Sequence, residues 1–273
     1  MSSNIIFNDV WTTEIAVEMT LLAVASFSIV YAFISYLGNR LRDALVGGLI
    51  SAILPIGALL ILYRDLLKPE AAYLIFTSLQ LRSWMVYGAA GISLLIILSA
   101  LFSVMVKFGF NRSLTTLLGL LASTVGVFVA IYPGLLLSYE RGISFWHGCA
   151  LPVLSLLMGL VGGSSVYIIL KPLDKRISMT LSLSLIGLLI VFIIHLYFVG
   201  VYPVGSYILR LMSRDPLFVL GILLSVIGSL LGFASLKYRV RYIQVIIAII
   251  GLVSIFIFRY VILSYGAWEY PLL

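Results

Sequence analysis

The chain has 273 residues, 63% of them hydrophobic and 10% charged, with a mean hydropathy of +1.21 and a single cysteine, Cys149. Those values exclude a separate soluble domain, an internal disulfide framework and a cysteine-ligated iron–sulfur cluster within the chain. The net charge of +7 does not point to nucleic acid, because Lys and Arg fall in the connections between apolar runs, where membrane orientation needs them.

Only helices or closed barrels satisfy every backbone group in lipid, and continuous apolar runs without two-residue alternation choose helices. The runs predict an all-α, multi-pass integral protein of the cell membrane. Residues 1–273 then form a single transmembrane helical domain with about eight helices, at 12–37, 44–63, 84–107, 113–139, 146–170, 177–200, 217–236 and 240–265. Stop signals separate them: Gly38-Asn39-Arg40, Lys107 with Asn111-Arg112, Lys171-Pro172 and Asp215-Pro216. The first run lacks a basic start and is long enough to span, so it reads as a retained helix and not a cleaved signal. The longest connection, from Arg64 to Arg82, carries Pro69 and an apolar stretch from Ala71 to Leu81, which predicts a short helix on the surface or under a partner. Few Asn and Gln with abundant Ile and Tyr hint at a thermophilic source.

Basic residues orient the bundle. The odd-numbered connections hold ten: Arg40, Arg42, Lys107, Arg112, Lys171, Lys175, Arg176, Lys237, Arg239 and Arg241. The other side holds six, namely Arg64, Lys68, Arg82, Arg141, Arg210 and Arg214. The side with ten is expected to face the cytoplasm, leaving both termini outside. Trp11, Trp84, Trp146 and Trp268 all fall on the proposed outer side, as an interfacial belt would.

Ionisable groups inside apolar segments are costly and mark function. Here they are Glu14, Glu18, His147, His195 and Arg259, and this topology gathers them in the outer half. Glu14 and Glu18, four apart, share a helix face. Such a carboxylate either pairs structurally with a cation, Arg259 being one partner, stays protonated, or accepts protons beside a quinol headgroup. Arg259 is in turn an ion-pair partner or a ligand contact. Two histidines in the chain exclude a pair of bis-histidine haems; a single haem between His147 and His195 is geometrically allowed, against hydrogen-bonded helix-end histidines. Tyr132-Pro133-Gly134 should interrupt the fourth helix near its outer end, either aiming the Tyr132 hydroxyl into an interhelical cavity or simply serving packing. Gly159, Gly162 and Gly163 form a small-residue packing face. No metal-ligand set is expected.

Several segments together resemble the NrfD-type family, the membrane subunits of polysulfide reductase and related molybdoenzymes. The match lies in WTTEIAVEMTLLAVAS (Trp11 to Ser26), in Asp65-Leu66-Leu67-Lys68-Pro69 followed by Ser83-Trp84-Met85 and Gly88, and in YPGLLL at 132–137. It continues in FWHGCALPVLSLLMGLVGG at 145–163 and FRYVILSYG at 258–266. The resemblance implies an eight-helix membrane anchor without haem, exchanging electrons between a menaquinone-type quinone and a ferredoxin-like iron–sulfur subunit. That subunit would serve a molybdopterin catalytic subunit carrying molybdenum or tungsten. It implies a quinone site lined by Tyr132 and the acidic first helix (Glu14, Glu18), with His147 and Arg259 nearby, and a partner-docking face at Asp65, Lys68 and Pro69. The family varies in the polar residue of the first helix, so Glu18 departs from it in detail. A secondary transporter is the reading from another class; LLLSYE at 135–140 and VILSYG at 261–266 echo each other four helices apart. A one-haem cytochrome is the third.

Overall fold

The computed structural model describes residues 6–7, 13–65, 70, 73, 83–140, 143, 145–146, 148–171, 174–238, 241–266 and 268–269. Among them, eight helices are long and apolar enough to cross a membrane. They are α1 (Thr13–Leu37), α2 (Leu41–Asp65), α3 (Trp84–Phe108), α4 (Arg112–Tyr139), α5 (Ala150–Leu170), α6 (Lys175–Gly200), α8 (Pro216–Tyr238) and α9 (Arg241–Gly266). Between α6 and α8 lies a ten-residue helix, α7 (Pro203–Met212), too short to span. No such helix was expected there. The helix expected at 71–81 lies outside the described residues.

Capping residues explain several of the boundaries. Asn111 accepts from the Ser113 amide at 2.9 Å and Asp174 accepts from the Arg176 amide at 3.1 Å, each supplying an acceptor that the first helical turn lacks. Gly109 ends α3 in the left-handed region at φ 67°.

The helices pack as two antiparallel four-helix bundles. In the first, α1 lies on α2, α2 on α3, α3 on α4 and α4 back on α1. In the second, the ring runs α5, α6, α8, α9 and returns to α5. The bundles meet where α5 packs against α1 and α4 and where α9 touches α1. Glycines make this seam tight: Gly159 and Gly163 seat the ring and backbone of Phe27, and Gly162 lies against Val24. The LLLSYE and VILSYG echoes end α4 and α9, the last helix of each ring.

Connections sort by side. Arg40 in the first connection pairs with Asp174 in the fifth at 3.3 Å, so both lie on one face. On the other face, the Tyr265 hydroxyl donates to Asp215 Oδ2 at 3.0 Å. A two-residue antiparallel bridge, β1 (Ile6–Phe7) with β2 (Trp268–Glu269), also joins the lead-in to α1 with the exit from α9.

Three expectations are corrected. Trp146 is no belt residue: it is 1% exposed, and its indole N–H donates to the Ile262 carbonyl at 2.8 Å. The fifth span begins at Ala150 rather than 146: Gly148 adopts φ 153°, and Phe145 and Trp146 lie in a turn from which the Trp146 indole reaches α9. The fourth helix is not interrupted at Tyr132-Pro133-Gly134 but runs through Pro133 to Tyr139. Within a packed membrane bundle, neighbouring groups tolerate the freed carbonyl. Gly134 is required there for a different reason. A Cβ at this position would overlap the backbone of Leu151 and Pro152 at the start of α5. Backbone cannot step aside as a side chain can, so Gly134→Val should lower stability by about 1–3 kcal/mol. Thermal unfolding of the detergent-solubilised chain would measure that loss; an unshifted midpoint would refute the close approach.

Candidate functional site

Four helices bring polar groups together at the bundle seam. Glu18 lies on α1 one turn beyond Glu14, and it is 6% exposed in a helix that carries no other charged residue apart from Glu14. Arg259 sits on α9, 2% exposed, seven residues before the helix ends at Gly266. Its Nη1 donates to Ser155 Oγ of α5 at 3.4 Å and lies 3.7 Å from Met19 Sδ of α1. Its Nε and Nη2 are buried without a partner.

The carboxylate of Glu18 and the Arg259 guanidinium lie within electrostatic reach of each other. They do not close to an ion pair: among the described residues, the pair within 4.0 Å is Arg40–Asp174. Tyr132 of α4 also lies in the field of Glu18. Its ring rests on Gly88 of α3, where any Cβ would overlap the phenol. Gly88 therefore provides the space the phenol occupies.

This arrangement holds a planar donor array with unused N–H groups, a carboxylate and a phenol hydroxyl in a low-dielectric setting. Buried donors left unpaired are rare and each calls for a ligand or water. A quinone headgroup offers oxygen acceptors to the guanidinium, and a quinol offers hydroxyl protons to the carboxylate. The residues fit such a ligand.

The other sequence candidates are placed differently. Glu14 is exposed and lines, with Thr13, Val17, Ile61 and Arg64, a cavity of about 160 Å³ at the ends of α1 and α2. It thus lies outward of the buried cluster. His195 is 1% exposed, packed 5.4 Å from the Phe145 ring and 6.3 Å from Phe192, with Nε2 unpartnered. His147, Lys68, Pro69 and the side chain of Asp65 lie outside the described residues, as does the side chain of Trp268 and all of Trp11. Ser155 and Met19, which hold the guanidinium, carry no signal in the sequence that separates them from the many other serines and methionines. Only the tertiary contact identifies them.

Residues 2–269 match the family model of NrfD, polysulphide reductase. No curated protein matches the chain. The match covers nearly the whole chain, so the protein belongs to the NrfD family, whose members are membrane subunits of quinone-linked molybdoenzyme complexes.

Proposed function

We propose that this NrfD-family chain is the quinone-reactive membrane anchor of a polysulfide- or sulfur-reductase-like respiratory complex. It would pass electrons between a menaquinone-type quinol and a ferredoxin-like iron–sulfur subunit, which serves a molybdopterin subunit. One observation carries the reading: a fully buried guanidinium with two unpartnered nitrogens, held by Ser155 and in the field of Glu18, which in turn acts on Tyr132.

Quinol oxidation releases two electrons and two protons. Arg259 would hold a headgroup oxygen through Nε and Nη2, Tyr132 would orient the ring by hydrogen bonding, and Glu18 would take the two hydroxyl protons in succession, releasing the first outward before accepting the second. The electrons leave to the iron–sulfur subunit, and Glu14 lies between Glu18 and the solvent-facing end of α1 for the proton. With the ten-cation side cytoplasmic, this site is in the outer half and both ends of the chain are outside. A transporter's site belongs near the midplane, whereas Arg259 stands seven residues, roughly 10 Å, from the end of its helix.

The test is purification from native membranes in mild detergent, followed by mass spectrometry and a menaquinol oxidation assay. Copurification of ferredoxin-like and molybdopterin subunits with quinol-dependent turnover supports the proposal. Repeated recovery of the intact chain alone would sink it. Charge reversal at Asp65 or Lys68 should reduce the partner recovered at least severalfold while quinol turnover per assembled complex is retained; unchanged copurification would place the docking face elsewhere.

A further inference from the structure

Phe145, Trp146 and Gly148, between α4 and α5, do more than connect the two bundles. Ser138, near the end of α4, places its hydroxyl 2.7 Å from the Gly134 carbonyl and 3.0 Å from the Gly148 carbonyl, sharing one proton between them. Two residues before Gly148, the Trp146 indole crosses the seam and donates to the Ile262 carbonyl of α9 at 2.8 Å. The indole lies on Gly266, where a Cβ would overlap its nitrogen. Phe145 beside it is fully buried against His195 of α6. One short stretch of chain is thus fastened to α4 and to α9.

The two fastenings lie one to two turns outward of the polar cluster. Ile262 is three residues beyond Arg259, one helical turn on the same side of α9. Ser138 is six residues beyond Tyr132 on α4. A guanidinium must be held in place to use its fixed fork of donors, and the bond from Trp146 restrains how far α9 can rotate or slide.

We propose that Trp146, seated on Gly266, is a positioning residue that fixes Arg259 for binding a quinone headgroup, and that Ser138 does the same for Tyr132. The proposal rests on the quinone reading above. Trp146 and Ser138 touch no reacting atom; they act through the helices that carry Arg259 and Tyr132.

The experiment uses the native complex and measures kcat and KM for menaquinol in four single variants and their pairs. Trp146→Phe keeps the ring and removes the N–H, and it should raise KM about tenfold with kcat nearly unchanged. In an Arg259→Gln background the same change should have less than a twofold effect, because nothing remains to be positioned. Ser138→Ala, a milder change at the margin of the seam, should be non-additive with Tyr132→Phe and additive with Arg259→Gln. A Trp146→Phe complex with unaltered KM overturns the assignment, as does an effect that persists in full after Arg259 is replaced. If Arg259→Gln itself leaves KM unchanged, the quinone reading at this residue falls and takes the positioning role with it. If Arg259→Gln raises KM while Trp146→Phe and Ser138→Ala do not, the quinone reading stands and only the positioning role is lost.

Discussion

Glu18→Gln is expected to reduce quinol turnover at least about 100-fold, the loss typical of removing a positioned proton acceptor. It is also expected to destabilise the chain by about 1–3 kcal/mol. The amide keeps the shape of the side chain but removes the negative charge facing the 2% exposed Arg259. Removing one member of a buried charge pair leaves the other uncompensated, and the cost here is scaled down because the two do not close to a direct ion pair. The double variant Glu18→Gln with Arg259→Gln separates the two effects. It should regain most of the stability, since no buried charge is left alone, and none of the turnover. Thermal unfolding and a quinol oxidation assay on the same preparations would decide. Turnover within a factor of two of the parent in Glu18→Gln would remove this residue from proton transfer.

Tyr132→Phe should lower turnover by about tenfold through loss of one hydrogen bond to the headgroup. Gly88→Ala should produce the same defect although Gly88 offers no side chain to any ligand. A methyl group on α3 would stand where the phenol now lies, so the ring must leave its seat. The two changes should therefore fail to add in a double variant. Partner copurification should be normal in both, because neither residue lies in the proposed docking connection. Full activity in Gly88→Ala would mean that the position of the phenol is irrelevant to turnover.

Most of the architecture was legible from hydropathy. The span read at 84–107 is Trp84–Phe108, and that at 177–200 is Lys175–Gly200. Lipid imposes a length and an apolarity that one sequence displays directly. What hydropathy cannot display is the pairing of helices. The α7 helix escaped because its ten residues, PVGSYILRLM, are too few for a membrane span and their apolar side chains are broken by Pro203, Gly205 and Arg210. Trp146 was placed in an interfacial belt because tryptophan near a span end usually lies there; the carbonyl that receives its N–H is 116 residues away. Of the site, Glu18, Tyr132 and Arg259 were visible as costly or unusual residues in apolar helices. Their convergence depends on α1, α4 and α9 meeting at the seam. Helical spacing put Glu14 and Glu18 on one face, yet Glu14 is exposed at the mouth of the cavity shared with Ile61 and Arg64 while Glu18, a turn deeper, is buried.

The seam has a consequence for biogenesis. Met19, beside Glu18, is separated by 240 residues from the Arg259 that it contacts. At a synthesis rate of roughly 5–20 residues per second, the carboxylate enters the bilayer on the order of 10–50 s before its cation is made. Throughout that interval the first bundle carries an acidic group on the flank later covered by α5 and α9. The last helix to be inserted is thus the one that neutralises the first, and a nascent chain halted before α9 presents an uncovered carboxylate to lipid and to membrane quality control.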